Sequence, residues 1–117
     1  MNGGQMISNG RPYEITIEKW YPAEKDEDGF EIWERWEPYY TNYAYVNSLT
    51  GNERWQAAQI AADRTVRFVL RWHKQLEEVK PKYYRIIFAG NIFTITIVDN
   101  VQYKNETVKI DALEVEV

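Results

Sequence analysis

Apolar and polar side chains alternate strictly from Tyr13 onward. Tyr13, Ile15 and Ile17 fall on one side of an extended chain, and the polar residues between them fall on the other. A repeat of two residues is the period of a β-strand with one buried face. The sequence therefore predicts a half-buried first strand.

A polar loop follows, centred on residues 26–29 (Asp-Glu-Asp-Gly). The segment Phe30 to Trp36 is dense in Trp and Glu, and we expect Pro38 to interrupt it. Alternation then returns over residues 41–49, which predicts a second strand. One face of this strand would carry Tyr43, Tyr45 and Asn47, and the other Ala44 and Val46.

Residues 51–62 are predicted to form the one short helix of the chain. Thr50 and Glu53 have the spacing of a capping box, and alanine is enriched in the segment. The apolar stripe is narrow, and a helix of about 12 residues is marginally stable in isolation. We expect the helix to be loosely held.

Alternation is strongest over residues 65–72. The predicted core side of this strand carries Val66, Phe68, Leu70 and Trp72. Arg67 and Arg71 have the opposite parity, so we expect both to be exposed.

Further along the chain, Gly90-Asn91 lies between two apolar segments, residues 84–89 and 92–98, and this is the pattern of a β-hairpin. A turn over residues 103–106 leads to a last strand over 107–117. Its alternation slips near Ala112-Leu113, which predicts a β-bulge there. Together, these patterns predict a mainly β fold: a small closed barrel of about six antiparallel strands with the one helix at 51–62.

The length of 117 residues fits one domain. We assign residues 1–12 to a flexible tail and residues 13–117 to a single barrel domain. The chain has no cysteine, the N-terminal residues lack the basic and apolar regions of a signal peptide, and no apolar segment has membrane-spanning length. These features favour a protein of a reducing compartment with no membrane partner.

Charge and aromatic residues indicate protein-binding surfaces. The net charge of -4 argues against general affinity for nucleic acid, whereas 5 Trp, 9 Tyr and 4 Phe are typical of β structure and interfaces. Residues 24–37 hold seven acidic and two basic residues, and residues 64–85 hold seven basic and two acidic ones. The candidate assembly residues are Asp26, Glu27, Asp28, Trp33, Trp36, Arg67 and Arg71. Ordinary surface variation and aromatic packing in the core are the alternative explanation.

No pattern supports catalysis or a cofactor. The three consecutive acids before Gly29 lack the alternating ligands of a calcium loop, and His73 is the only histidine. There is no nucleophile elbow and no phosphate-binding glycine loop. The carboxylates of residues 31–37 lie in one acidic segment, which is more typical of a solvated surface than of a glycosidase pair. We expect no catalytic residue, no metal ligand and no cofactor.

The order of these elements resembles the head-tail joining proteins of tailed phages, also called head-closure or stopper proteins. The likeness runs from YEITIEK through an acidic Gly-containing loop ending in E-x-W, the segment NYAYVNSLTGNERWQAAQIAA and the strand TVRFVLRW. Its most specific part is RIIFAGNIFTI, which is similar to the family pattern Arg-Ile-x-Tyr-x-Gly-x-x-Tyr-x-Ile. Phe88 and Phe93 stand where the family more often has Tyr.

The resemblance implies a small β-barrel that joins a ring below the portal and adaptor rings of a filled capsid. Such a ring retains the packaged DNA and offers the surface on which the tail docks. Its partners would be portal or adaptor proteins above, tail proteins below, further copies of itself and the end of the packaged DNA. The location would be the virion, after synthesis in the cytoplasm of a bacterial host, from a phage or a prophage gene.

Within that picture residues 50–62 correspond to the mobile segment that faces the channel. The residues assigned to this gating segment are Thr50, Gly51, Asn52, Glu53, Arg54, Gln56 and Gln59. The alternative function is a generic β-barrel binding module for single-stranded nucleic acid or an oligosaccharide, since both ligands stack on exposed aromatic rings.

Overall fold

The structure, a computed structural model, describes residues 10–48 and 65–115. Within these ranges the chain forms eight β-strands and two short 3₁₀ segments, at Lys74–Glu78 and Val101–Tyr103. The strands are β1 (Tyr13–Tyr21), β2 (Glu24–Lys25), β3 (Glu31–Ile32), β4 (Arg35–Ser48), β5 (Thr65–Arg71), β6 (Tyr84–Phe88), β7 (Asn91–Asn100) and β8 (Thr107–Glu114).

Six of these strands close into an antiparallel barrel in the order β1-β4-β5-β8-β7-β6, with β6 pairing back onto β1. Closure gives every long strand a hydrogen-bonded neighbour on both sides, which removes free sheet edges. The predicted mainly β fold with a closed six-stranded barrel is confirmed. The predicted helix at 51–62 lies outside the described residues.

The side chains at every second position of the strands point into the barrel and form its core. Ile15 and Ile17 of β1 and Phe68 of β5 are almost fully buried, as the alternation predicted. Phe68 packs edge-on against Phe88 and Phe93, with ring centroids 5.8 and 5.4 Å away. Of the hairpin residues similar to the family pattern, Phe93 is a core residue and Phe88 is half-buried against the core.

Pro38 does not interrupt the chain, contrary to the expectation from the sequence. It lies inside β4, opposite Glu18 of β1, while the next pair joins Tyr40 to Ile17. Tyr39 is therefore an extra residue in β4, and the pairing shifts register there. A β-bulge is one of the few places inside a sheet that accept proline, which has no N–H to give to the ladder.

The hairpin between β6 and β7 turns at Ala89-Gly90 rather than at Gly90-Asn91. Phe88 pairs with Asn91, and the two residues between them have φ of 53° and 80°. Two successive positive φ angles define the type I′ turn, whose twist matches the flanking strands. The hairpin was predicted correctly, but its turn was placed one residue too late.

The bulge expected near Ala112-Leu113 is found in the neighbouring strand. Ala112 pairs with Ile95 and Asp111 with Ile97, so Thr96 is the extra residue, in β7. The pairing of β8 with β5 runs without a shift from Leu113 to Thr107. The bulge thus lies opposite Asp111 and Ala112, close to the predicted position, but it is in β7 and not in β8.

The segment between β5 and β6 covers one end of the barrel. The 3₁₀ helix Lys74–Glu78 buries Leu76, and Val79 after it is also buried. His73 begins this helix, and its Nδ1 accepts a hydrogen bond from the N–H of Gln75 at 3.1 Å. Residues 73–82, whose sequence is largely polar, therefore form a cap over the core.

Candidate assembly surfaces

A two-stranded hairpin extends from the barrel between β1 and β4; we call residues 24–33 the arm. Its loop begins at Asp26, whose Oδ1 accepts hydrogen bonds from the N–H groups of Asp28 and Phe30, both at 2.9 Å. Gly29 has φ 88°, as the last position of a three-residue hairpin loop requires. The carboxylate of Asp26 thus holds the turn, while Glu27 and Asp28 are exposed at the tip.

The arm displays two large aromatic side chains to solvent. Phe30 is 71% exposed and Trp33 is 74% exposed. Large exposed aromatic rings are frequent among the anchor residues of protein interfaces, so the arm is a candidate contact surface. Trp33 was predicted as an interface residue, and this stays a prediction. Phe30 was not singled out from the sequence, although an apolar residue directly after a turn glycine in an acidic loop indicates an exposed aromatic ring.

Arg35, the first residue of β4, ties the arm to the barrel. Its Nε donates to Oε2 of Glu37 at 2.6 Å, and its Nη1 donates to Oε2 of Glu24 at 3.2 Å. The guanidinium carbon also lies 5.1 Å from the ring centroid of Tyr21. The hydrogen bond to Glu37, followed by the one to Glu24, raises the pKa of Arg35.

Trp36 lies on the outer wall of the barrel and is half-buried there. The guanidinium carbon of Arg85 lies 4.3 Å from the Trp36 ring centroid, and Arg85 Nε donates to Oε1 of Glu18 at 2.7 Å. The contact thus joins three neighbouring strands, with Trp36 from β4, Glu18 from β1 and Arg85 from β6. This arrangement holds the Trp36 ring against the wall, beside the base of the arm.

A second aromatic contact continues this surface. Trp20 pairs with Trp36 across β1 and β4, and its ring stacks on that of Tyr83 with centroids 5.5 Å apart and planes at 13°. Lys82 Nζ lies 5.0 Å from the Tyr83 centroid. Trp20 and Tyr83 were missed from the sequence, because their contact joins residues distant in the chain.

The two arginines of β5 have different surroundings. Both have the outward parity that the sequence predicted, but only Arg71 is exposed. Arg67 is half-buried because its guanidinium meets Asp111 of β8, with Nε–Oδ1 2.7 Å and Nη2–Oδ2 3.1 Å. The expectation that both arginines are exposed is therefore wrong for Arg67.

A groove opens in the outer wall where the pairing of β4 with β5 ends, at the pair Tyr45–Val69. We call it the β4–β5 groove; its volume is about 800 Å³. Tyr43 and Tyr45 lie along it with 58% and 44% of their surface exposed, and Pro12 and Arg71 complete its sides. The exposure of the two tyrosines follows from the parity of β4, in which Ala44 and Val46 point inward.

A polar cluster joins the 3₁₀ cap to the barrel at the other end of β1. Lys19 Nζ lies 2.8 Å from Oε1 of Glu78, and the hydroxyl of Tyr84 donates to the same oxygen at 2.6 Å. The Lys19 hydrogen bond, then that from Tyr84, lowers the pKa of Glu78 to about 2. Burial, followed by the Glu78 bond, raises the pKa of Tyr84 to about 12. The cluster ties the 3₁₀ cap to β1 and β6, and Glu78 also lines a surface pocket of about 520 Å³ together with Tyr39 and His73.

The predicted site residues fall into separate groups. The arm brings together Asp26, Glu27, Asp28 and Trp33, with Trp36 beside its base, whereas Arg67 and Arg71 lie on β5. The seven gating residues between Thr50 and Gln59 lie outside the described residues. Across residues 10–48 and 65–115, no group of side chains has the composition of a metal site, and no helix is long and apolar enough to cross a membrane.

A family profile matches most of the chain. The profile described as phage head completion protein matches residues 9–116. No curated protein sequence matches. The match includes the barrel, the arm and the groove.

Two solved structures share the fold. One is the solution structure of protein SF1141 from Shigella flexneri 2a, with a TM-score of 0.64 and 24% identity, covering 97% of this chain and 96% of that one. The other is a chain of the virion of a native gene transfer agent particle, with a TM-score of 0.55 and 21% identity, covering 90% of this chain and 96% of that one. At these identities the likeness concerns the fold.

Proposed function

Since the chain belongs to the phage head completion protein family, we propose that it closes the filled capsid as a stopper. It is a structural protein of the phage head and a component of the virion. In the proposed role, copies form a ring below the portal and adaptor, retain the packaged DNA and offer the surface on which the tail docks. The partners would be portal or adaptor proteins, tail proteins and further copies of this chain.

The observation that supports this role is the contrast between the closed barrel, which buries its apolar side chains, and the arm, which exposes them. The barrel is closed, and the core formed by the described residues consists of hydrophobic side chains. Asp111 is paired with Arg67 on the outer wall. The arm instead exposes Phe30 and Trp33 next to acidic residues. A protein that folds as a closed barrel and projects an arm with exposed aromatic side chains is suited to binding an assembly that has already formed.

The proposed interface residues follow from the same division. Trp33, Trp36 and the acids of residues 26–28 would contact a neighbour from the arm side, and Arg71 would do so from the groove side. Arg67 would contact a neighbour with the part of its side chain that stays exposed on the outer wall beside Asp111. The gating role of residues 50–62 stays a prediction of the sequence.

Removing the gene from its phage tests the proposal. Heads made without the protein should package DNA but lose it, so their DNA becomes accessible to DNase, and tails should accumulate unattached. Adding the purified protein to freshly filled heads should restore DNase resistance and tail joining. Heads that keep their DNA and join tails without the protein would contradict the role.

Single-stranded nucleic acid binding is the second candidate, because the Trp20–Tyr83 stack lies beside Lys82. Aromatic platforms of this kind stack on bases, and the binding then weakens steeply with salt. Titration with single-stranded DNA at low and moderate salt distinguishes the two candidates. Tight, salt-dependent binding by the isolated chain would favour the second.

A further inference from the structure

The arm and the β4–β5 groove have complementary surfaces. We propose that the arm of one copy docks in the groove of the next copy of the same chain. This inference rests on the proposed ring and names the contact that would build it. The occupant is a second copy, rather than a tail or portal protein, because both halves of the contact are present in this sequence.

The aromatic side chains of the arm are not buried by the described residues of their own copy. Phe30 and Trp33 remain largely exposed, and the Asp26 turn and the Arg35 clamp hold the arm in place. A preorganised element loses little conformational freedom when it binds. Aromatic anchors of this type gain their free energy by filling a pocket on the partner.

The groove offers such a pocket. The rings of Tyr43 and Tyr45, together with Pro12 and Trp72, supply aromatic and apolar contact surface over a volume of about 800 Å³. Tyrosine-lined grooves accept aromatic side chains in offset-stacked or edge-on packing. Phe30 and Trp33 are therefore chemically matched to the groove.

Charge supports the same pairing. Arg71 lines the groove, and the chain segments that form its rim also carry Arg11, next to Pro12, and Lys104, next to Asn105. Glu106 is the opposing carboxylate in the lining. The lining itself is neutral, with Arg71 and Glu106, and Arg11 and Lys104 add positive charge in the adjoining chain positions. The arm tip presents Glu27 and Asp28, and this charge pattern favours correct orientation on encounter.

Geometry assigns the two surfaces to different copies. The arm leaves β4 at Arg35, and the groove begins at Tyr43, eight residues further along the same strand. At about 3.4 Å per residue this separates them by roughly 27 Å. No arm residue lines the groove of its own copy. A contact between different surfaces of identical chains is head-to-tail, and it closes into a ring when the rotation per copy allows.

Cysteine cross-linking tests the contact, because the natural chain has no cysteine. The double variant Phe30→Cys with Tyr43→Cys is used to complete filled heads, which are then treated with a short bismaleimide and analysed on a denaturing gel. The matched control replaces Tyr43→Cys by Ile97→Cys, since Ile97 is exposed on β7 and does not line the groove. A second pair, Trp33→Cys with Tyr45→Cys, repeats the test if the first variant fails to fold.

We expect a ladder of cross-linked dimers, trimers and higher multimers of this chain for both groove pairs, and monomer for the control. Heads that retain their DNA but show no ladder would overturn the arm–groove contact while leaving head closure intact. A ladder of equal strength in the control, or a cross-link from Phe30→Cys to a different protein, would also overturn it. Heads that retain DNA without any copy of this chain would instead refute the proposed function.

Discussion

Arg67 and Asp111 face each other across β5 and β8, and the guanidinium of one meets the carboxylate of the other through two hydrogen bonds, 2.7 and 3.1 Å long. Asp111 is the buried charged residue of the described chain, with 8% of its surface exposed. Asp111 lies opposite the bulge of β7, where the extra residue Thr96 donates a hydrogen bond from Oγ1 to the Asp111 carbonyl at 3.0 Å. A carboxylate at this level is tolerated because an arginine fork satisfies both oxygens.

We expect the two arginines of β5 to differ in their contribution to stability. Arg67→Glu removes the partner of a buried carboxylate and adds a like charge, so the free energy of unfolding should fall by about 1–3 kcal/mol. Arg71→Glu changes an exposed residue and should stay within about 0.5 kcal/mol of the natural chain. Urea unfolding of both variants measures the difference. Equal effects would show that the Arg67–Asp111 pair contributes little.

Arg71→Glu is expected to act on assembly instead. It reverses a charge in the β4–β5 groove, so like charges would meet when the acidic arm tip of another copy approaches. Heads completed with this variant should hold DNA less well than heads completed with the conservative variant Arg71→Lys. DNase protection of the packaged DNA measures this. Equal protection by both variants would contradict a role for Arg71 in the ring.

The core should depend strongly on Phe68. Its ring is fully buried and packs edge-on against two other phenylalanines, so Phe68→Ala should cost about 3–5 kcal/mol of unfolding free energy. Phe30→Ala is the matched control, because Phe30 is exposed on the arm, and its effect should stay below about 0.5 kcal/mol. Thermal unfolding followed by circular dichroism compares the two. A large loss for Phe30→Ala would mean that the arm packs onto the barrel.

The barrel was largely predictable from the sequence because its wall separates an apolar interior from water. Each strand of a closed barrel has one buried face, so the period of two fixes which side chains point inward, as at Val66 and Phe68. Local irregularities were not predictable. The shift at Pro38 and the extra residue Thr96 depend on how two strands pair, and the alternation of a single strand does not contain that information.

The candidate surfaces were predictable only in part for the same reason. The acids of the arm and Trp33 are neighbours in the chain, so composition alone singled them out. The Arg67–Asp111 pair spans 44 positions in sequence and the Trp20–Tyr83 stack also joins distant segments, and both exist only because the barrel closes. Strand parity gave the direction of Arg67 correctly, but it could not show which partner stands on the adjacent strand.

The hairpin turn offers a stabilising substitution. Ala89 has φ 53°, a left-handed conformation that is unfavourable for alanine and well accepted by asparagine, and Asn-Gly is the preferred pair for a type I′ turn. Ala89→Asn should therefore raise the unfolding free energy by about 0.5–1 kcal/mol. Gly90→Ala is the reverse test: its added methyl group meets no atom within 4 Å, so any loss reports the strain at φ 80° alone. Denaturant midpoints measure both, and a destabilised Ala89→Asn variant would refute the turn assignment.

The Lys19–Glu78 pair should make stability depend on acid pH. The pKa of Glu78 is lowered from its ordinary value of 4.5 to about 2, chiefly by the hydrogen bond from Lys19 and then by that from Tyr84. Between these two values the unfolded chain binds a proton that the folded chain does not bind, so falling pH favours unfolding. The contribution of Glu78 should therefore be complete above about pH 4.5 and should disappear as the pH falls towards 2. Because both side chains are partly exposed, added salt should weaken it.

The test compares the acid dependence of three chains by urea unfolding between pH 2 and pH 6 at low salt. Glu78→Gln keeps the shape of the side chain but cannot titrate, so its stability should fall less steeply than that of the natural chain between about pH 4.5 and pH 2. Glu77→Gln removes a carboxylate one residue earlier in the same 3₁₀ helix, where the side chain is exposed, and it should follow the natural chain. The helix buries Leu76 under the barrel end, so loss of the Lys19–Glu78 bond should also speed amide exchange at Val79, whose N–H donates to the Leu76 carbonyl at 3.2 Å. If Glu77→Gln and Glu78→Gln show the same acid profile, the Lys19–Glu78 contact does not hold the cap in solution.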